Sequence, residues 1–228
     1  MRVLITFGPS FEPIDQARRL TNFSTGKLGT QIANHFLKEG WNVHCLRAEG
    51  ATYTGPLEAW EVESFTTNDD LADRMERIGR MRRIDAVFHA AALCDFRVAR
   101  VVNKEGESVE SPKIATRDGR LTLELEPATK ILPKIRGWFP TATVVGWKYE
   151  FAGSRDDAFE KAWRQLAECE TDACVLNGAA HGPGFTICEP RSRVTPCDTV
   201  ANLATALHRL VTRKASPSTR AQVLQFAA

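Results

Sequence analysis

The chain has 228 residues, with 30 lysines and arginines against 28 aspartates and glutamates. That length suits one large α/β domain with a real core, and a net charge of +2 gives no chain-wide field for nucleic acid or an anionic membrane. No apolar run reaches the roughly 18 residues of a membrane span, and the opening MRVLITFGPS lacks the long apolar core and cleavage site of a signal peptide. The six cysteines (Cys45, Cys94, Cys169, Cys174, Cys188 and Cys197) form no Cys-x-x-Cys pair. They read as reduced core thiols, which fits a cytoplasmic protein.

Residues 2–7 (RVLITF) are a short apolar run, the mark of a strand buried on both faces. Gly8-Pro9-Ser10 breaks it. A stretch rich in hydroxyls and cations follows at residues 18–29 and opens a helix in which Ile32, Ala33, Phe36 and Leu37 recur at helical spacing, up to Gly40. Residues 42–47 and 60–65 read as the second and third strands. Thr67 to Asp70 offers N-caps for a helix with Leu71, Met75 and Ile78 inward, and residues 85–92 (DAVFHAAA) are a buried fourth strand. The alternation predicts an α/β fold, a Rossmann-like doubly wound and mostly parallel sheet.

Residues 101–120 are polar, and residues 121–126 (LTLELE) alternate strictly, as a half-exposed strand does. Asp118-Gly119 is a hairpin signal that would pair residues 113–115 back on 121–125. We read about 101–126 as a flap with an antiparallel ribbon inserted into the sheet fold; a loop without structure is the alternative. Residues 141–150 and 173–177 are the fifth and sixth strands. Between them Ser154 with Asp157 resembles a capping box, and Phe159, Ala162, Trp163 and Leu166 face inward while Lys161 and Arg164 point away. His181, on a glycine-rich loop, reads as a surface histidine. Residues 185–189 and 193–195 make a terminal hairpin, and Val200 to Val211 a last helix. One domain over 1–213 and a frayed tail over 214–228 complete the expectation.

In an open α/β sheet, ligands bind past the carboxyl ends of the strands where strand order reverses. The 18–29 stretch lies there, at a helix N-terminus whose free N–H groups favour anions. Gly26 and Gly29 would let backbone approach a phosphate, and Ser24 or Thr25 would cap the helix or bind oxyanion oxygens; a plain N-cap and a solvated Lys27 explain the same residues. Ala90 to Ala92 leaves room for a flat group, with Asp95 to accept from a base or ribose or to help hold a magnesium ion; tight packing and an Asp N-cap explain them equally. Lys113 in the flap could stabilise developing charge, or be merely solvated. A dinucleotide fingerprint is poor, because Pro9 follows the first glycine and Gly26-x-x-Gly29 arrives late.

Taken together, Arg18-x-x-x-Asn22-x-Ser24-Thr25-Gly26-Lys27-x-Gly29, Glu12-Pro13-Ile14-Asp15, Ala90-Ala91-Ala92-Leu93-Cys94-Asp95-Phe96, Thr129-Lys130-Ile131-Leu132 and Val145-Gly146-Trp147-Lys148-x-Glu150 resemble phosphopantothenoylcysteine synthetase, also called phosphopantothenate–cysteine ligase. That family is the ligase half of a bifunctional coenzyme A flavoprotein, and the flavin half has no counterpart here, so the expectation is a stand-alone ligase. The resemblance implies that 4′-phosphopantothenate and cysteine are joined through an acyl-nucleotide, with magnesium and a nucleoside triphosphate, CTP or ATP, as co-substrate. It also implies a homodimer. By carry-over, Asn22 holds the carboxylate or acyl-nucleotide, Arg18 assists amine attack, and Lys113 stabilises the first transition state. The nucleotide set is Gly8, Ser24, Gly26, His89, Ala90, Ala91, Asp95, Thr129, Lys130, Ile131, Leu132, Trp147 and Lys161; metal ligands stay unassigned. The chain departs from the family pattern at Pro9, at Ala115 and Thr116 after Lys113, at Gln165 beside Arg164, and at Gly178. An NAD(P)-dependent Rossmann reductase and a non-catalytic nucleotide-binding paralogue remain as alternatives.

Overall fold

All six predicted strands of the parallel sheet become parallel strands of one eight-stranded sheet in a computed structural model that describes residues 1–116 and 119–215. In chain order the elements are β1 (Arg2–Pro9), β2 (Phe11–Pro13), β3 (Arg19–Thr21), α1 (Lys27–Lys38), β4 (Asn42–Ala48), β5 (Glu61–Phe65), α2 (Asn68–Met81), β6 (Ala86–Ala92), β7 (Phe96–Val102), β8 (Thr122–Pro127), α3 (Leu132–Trp138), β9 (Thr143–Tyr149), α4 (Arg155–Glu168), β10 (Ala173–Asn177), β11 (Phe185–Glu189), β12 (Arg193–Cys197) and α5 (Val200–Ala215). The sheet order is β12-β11-β10-β9-β6-β1-β4-β5. The chain builds outward from β1 to β5, then returns to the other side of β1 with β6, so strand order reverses between β1 and β6. The antiparallel β11–β12 hairpin ends one edge, as the sequence predicts.

Alternation of side chains along the strands sorts the core into two layers. Val3, Ile5, Phe7, Phe88 and Val175 face α1 and α5. Leu4, Leu46, Val87 and Val144 face α2 and α3, and Cys174 and Leu176 continue that face under α4. Thr67 caps α2 by accepting from the Asp70 N–H (3.2 Å), and Ser154 and Asp157 close the predicted capping box on α4.

Several expectations are corrected. Gly26, at φ 79°, is the N-cap of α1, not Ser24 or Thr25, and no side chain caps the helix there; Thr25 Oγ1 only accepts from the Lys27 N–H at 3.3 Å. Gly29 serves packing, not phosphate approach: a Cβ there would stand 2.2 Å from Phe7 Cβ, so glycine lets α1 close on β1. The ribbon is not built from residues 113–115. β8 pairs with β7, Phe96 opposite Pro127 and Val102 opposite Thr122, with a bulge between Val98 and Arg100. Cross-strand ion pairs Arg97–Glu126 and Arg100–Glu124 set that register. Asp118, half of the hairpin signal, and the tail over 216–228 lie outside the described residues. His181 is buried, its Nε2 2.8 Å from Thr186 Oγ1. The six cysteines are free thiols, five of them buried, and among the described residues no helix is long and apolar enough to cross a membrane.

Candidate active site

A cavity of about 510 Å³ opens between α3 and α4, past the carboxyl ends of β6 and β9. Gly146 on β9 makes the gap possible to close at its base. A Cβ there would lie 2.8 Å from Gln165 Nε2 and 2.9 Å from Leu132 Cδ2. From α4, Lys161, Arg164, Gln165 and Glu168 line one wall, at the i, i+3, i+4, i+7 spacing of a single helix face. The residues 129–133, leading into α3, line the other, and His89, Ala91, Leu93, Cys94 and Asp95 line it from the end of β6.

The far wall is held by a buried polar hub that the sequence does not disclose. Asn68, 2% exposed, donates to the Cys94 carbonyl (2.8 Å) and the Thr129 carbonyl (3.0 Å). It accepts from Ser10 Oγ at 2.8 Å, and Ser10 Oγ in turn accepts from the Cys94 N–H at 2.8 Å. One amide thus ties the loop after β1, the start of α2, the loop after β6 and the approach to α3. The sequence offers only Asn68 in a run of N-cap residues; nothing there marks it as buried. Deeper in, His89 Nδ1 meets Thr6 Oγ1 at 2.7 Å, and burial pushes the imidazole down to about 4, so it is neutral at physiological pH.

Cations dominate the cavity rim, but most are already paired. Lys130 binds Asp95, which is itself exposed and caps no helix. Lys148 and Lys161 share Glu150, at 3.3 and 2.5 Å. Burial pushes the Glu150 carboxyl up, yet the hydrogen bonds from Lys161 and Lys148 outweigh it and hold the group below its ordinary value. Lys148 and Arg164 are cavity residues that the sequence-based site omits.

Of the predicted nucleotide set, His89, Ala91, Asp95, Thr129, Lys130, Ile131, Leu132, Trp147 and Lys161 come together at the cavity. The Trp147 ring packs toward Phe88 (centroids 6.4 Å apart) on the α1 side of the sheet, with its indole N–H unpartnered. Gly8, Ser24, Gly26 and Ala90 are not brought to the cavity. Gly8, at φ 87°, packs against Ala48 and Ala51, and Ser24 and Gly26 lead into α1 on the opposite face.

None of the three predicted catalytic residues lines the cavity, and of the three Asn22 is the one tied to its edge. Asn22 Nδ2 donates to the carbonyls of Leu93 (2.8 Å) and Ala92 (3.3 Å), pinning the 18–26 loop to the cavity's edge. Arg18 pairs with Asp15 and donates from Nη2 to the Ile114 carbonyl (2.8 Å), while the Ile114 N–H donates to Asp15 Oδ2 (3.1 Å). Gln16 N–H reaches the Pro112 carbonyl at 3.0 Å. These bonds strap the segment carrying the exposed Lys113 onto the 15–18 loop. Arg18 and Lys113, far apart in sequence, therefore meet through Ile114. Hydrogen bonding from Arg18 holds the Asp15 carboxyl well below the usual carboxylate range.

Comparison with known proteins bears on this arrangement. Residues 1–208 match the family described as DNA/pantothenate metabolism flavoprotein C-terminal domain. Among curated proteins, the coenzyme A biosynthesis bifunctional protein CoaBC of Thermococcus kodakarensis is 32% identical over 176 residues, which are 77% of this chain and 41% of that protein. CoaBC of Bacillus subtilis is 30% identical, over 80% of this chain and 42% of its own length. The chain thus spans about two fifths of these relatives. Among solved structures, the DNA/pantothenate metabolism flavoprotein from Streptococcus pneumoniae superposes with a TM-score of 0.82 at 22% identity, covering 93% of this chain and 99% of that one. A Cab2 mutant in complex with phosphopantothenate-cysteine gives 0.69 at 19% identity, covering 94% and 89%. At these identities the structural matches speak for the fold.

Proposed function

The chain belongs to the DNA/pantothenate metabolism flavoprotein C-terminal domain family, and from that premise we propose that it joins 4′-phosphopantothenate to cysteine through an acyl-nucleotide formed from CTP or ATP. The observation that carries this reading is the cation-lined cavity at the reversal of strand order, joined to the approach by Asn22. The triphosphate takes the cavity between α3 and α4. The acid's carboxylate lies beside Asn22 and attacks the α-phosphorus, and pyrophosphate leaves. The cysteine amine then attacks the acyl carbon, the amide forms and the nucleoside monophosphate departs. Lys113, on the segment strapped to the 15–18 loop, closes over the triphosphate and stabilises charge building on the phosphoryl oxygens. Arg18 positions that strap and reaches the incoming amine.

Ser24 and Gly26 fit the acid's own phosphate better than the triphosphate. They lie outside the cavity, and the first turn of α1 has no acidic residue and no side-chain cap. Magnesium enters on the same reading with the triphosphate. The cavity's carboxylates, Asp95 and Glu168, make no closed cage. Among the described residues, the one group of three His, Cys, Asp or Glu side chains with metal-ligand spacing is His44, Glu61 and Glu63 on β4 and β5. A partly hydrated ion held mainly by phosphates fits that donor set, and when bound it supplies charge neutralisation. The reading takes the protein as a cytoplasmic homodimer, with fully exposed Phe23 and the Tyr149–Phe151 pair as apolar surface for a partner subunit to cover.

A Rossmann reductase finds less support. Arg47 on β4, where a ribose-binding residue would stand, is committed to the carbonyls of Ala51 (3.0 Å) and Tyr53 (2.9 Å). The test is pyrophosphate release from purified protein with 4′-phosphopantothenate and magnesium, comparing CTP with ATP, with and without cysteine. The ligase reading expects release that needs the acid and yields a cysteine adduct. Nucleotide binding without release would favour the paralogue.

A further inference from the structure

Four cations line the cavity, and their pairing separates them. Lys130 is neutralised by Asp95, and Lys161 is held by Glu150 at 2.5 Å. Lys148, on the strand floor, shares that same Glu150 at 3.3 Å, so one carboxylate faces two ammonium groups and a positive charge is left over. Arg164, one turn along α4 from Lys161, has no carboxylate partner among the described residues, although it lines the cavity. A cation already in an ion pair must give up that partner, at least in part, to take a phosphate. An unpaired guanidinium gives up only water, and its planar fork donates to two phosphoryl oxygens at once.

We propose that Arg164 and Lys148 are the phosphate-gripping pair of this cavity, Arg164 as the forked contact from the helix wall and Lys148 as the charge beneath it. The inference rests on the ligase reading for the ligand's identity, a nucleoside triphosphate, but assigns residues which that reading does not. Gln165 beside them cannot take the charge role. It is neutral, and its Nε2 is turned inward, 3.3 Å from Cys174 Sγ.

The experiment measures binding of magnesium CTP and ATP, and of CMP and AMP, by calorimetry to the intact protein and its variants. Arg164→Gln is expected to weaken triphosphate binding by about tenfold to a hundredfold, the scale of a charge-assisted hydrogen bond. Lys148→Gln should weaken it by less, about threefold to tenfold, because Glu150 already holds half of that charge. Monophosphate binding should change little in both. Arg164→Lys should be intermediate, since it keeps the charge and loses the fork. Arg155→Gln, on the same helix but stacked over Phe159 at 5.7 Å, is the control that should bind as the parent does. Equal loss for mono- and triphosphate would mean a general disturbance of the cavity and overturn the pair. Triphosphate binding by the parent that is unchanged in Arg164→Gln and Lys148→Gln would overturn it too, leaving the ligase reading intact. A parent that binds no triphosphate at all would remove the ligase reading and this inference together.

Discussion

His89, Asn68 and Ile131, on one side of the site, are 7%, 2% and 1% exposed and are held by hydrogen bonds or packing inside the sheet's helix-covered face. Arg18, Asn22 and Lys113 are exposed; Asn22 is tied to the cavity's edge at Leu93, and Arg18 is tied to Ile114 beside Lys113. The first side is a preformed wall whose geometry is over-determined by the core. The second is a strap, with Ile114 as the apolar foot of a polar segment. The cavity's wall is built into the core. The groups to which the proposed chemistry falls sit on the side with fewer packing contacts, where local opening costs least.

The difference can be broken first at its chemical end. Lys113→Gln and Asn22→Ala should each lower ligation by about a hundredfold or more, the scale of a lost transition-state contact, while leaving the fold intact. Near-normal turnover in both would show that the strap side carries no chemistry. The wall side should respond oppositely, in stability and not in contacts to substrate. His89 titrates at about 4 in the folded chain and near 6.5 unfolded, so between those values the unfolded chain binds the extra proton. Its contribution is complete above pH 6.5 and is lost as pH falls toward 4, by roughly 3 kcal/mol from the size of the shift. His89→Gln should flatten that acid limb, measured by urea unfolding at pH 7 and pH 4.5; an unchanged limb would mean the imidazole is not held neutral. The smallest effect is expected at the strap's anchor. Asp15→Asn should slow ligation several-fold, since it loosens the tie of the carboxylate to the half-exposed Arg18 and to the Ile114 N–H. Because Asp15 titrates well below its ordinary value of 3.8, the strap's charge pair persists through mildly acidic pH and is lost only as pH falls further.

The parts of this molecule that its sequence reveals are those with a local period. The strand over residues 2–7, the helix with Leu71, Met75 and Ile78, and the capping box at Ser154 and Asp157 were all legible, because burial on one face imprints spacing on the chain. Asn22 and the Ala90–Asp95 stretch were legible from their place at strand ends, whereas Thr129–Leu132 entered only through the family resemblance. Other elements escaped. α3 is seven residues long, too short for a helical period to show, with Pro133 in its first turn. β7 escaped because its partner lies across nineteen intervening residues, and the turn signal at Asp118-Gly119 pointed to a nearer strand. His181 escaped because the loop around it is rich in glycine, while Thr186 and Phe159 cover it in the fold.

By itself the sequence determined the alternating strands and helices, the core faces and the chemistry available past the strand ends. Only the tertiary structure decided which of those groups are free to act. It pairs Lys130 with Asp95 and two lysines with Glu150, leaves Arg164 unpaired among the described residues, and buries Asn68 as the hub of the wall. The physical reason is range. Periodicity is fixed by neighbours a few residues away, whereas an ion pair or a buried hydrogen bond is fixed by whichever distant element the fold sets beside it.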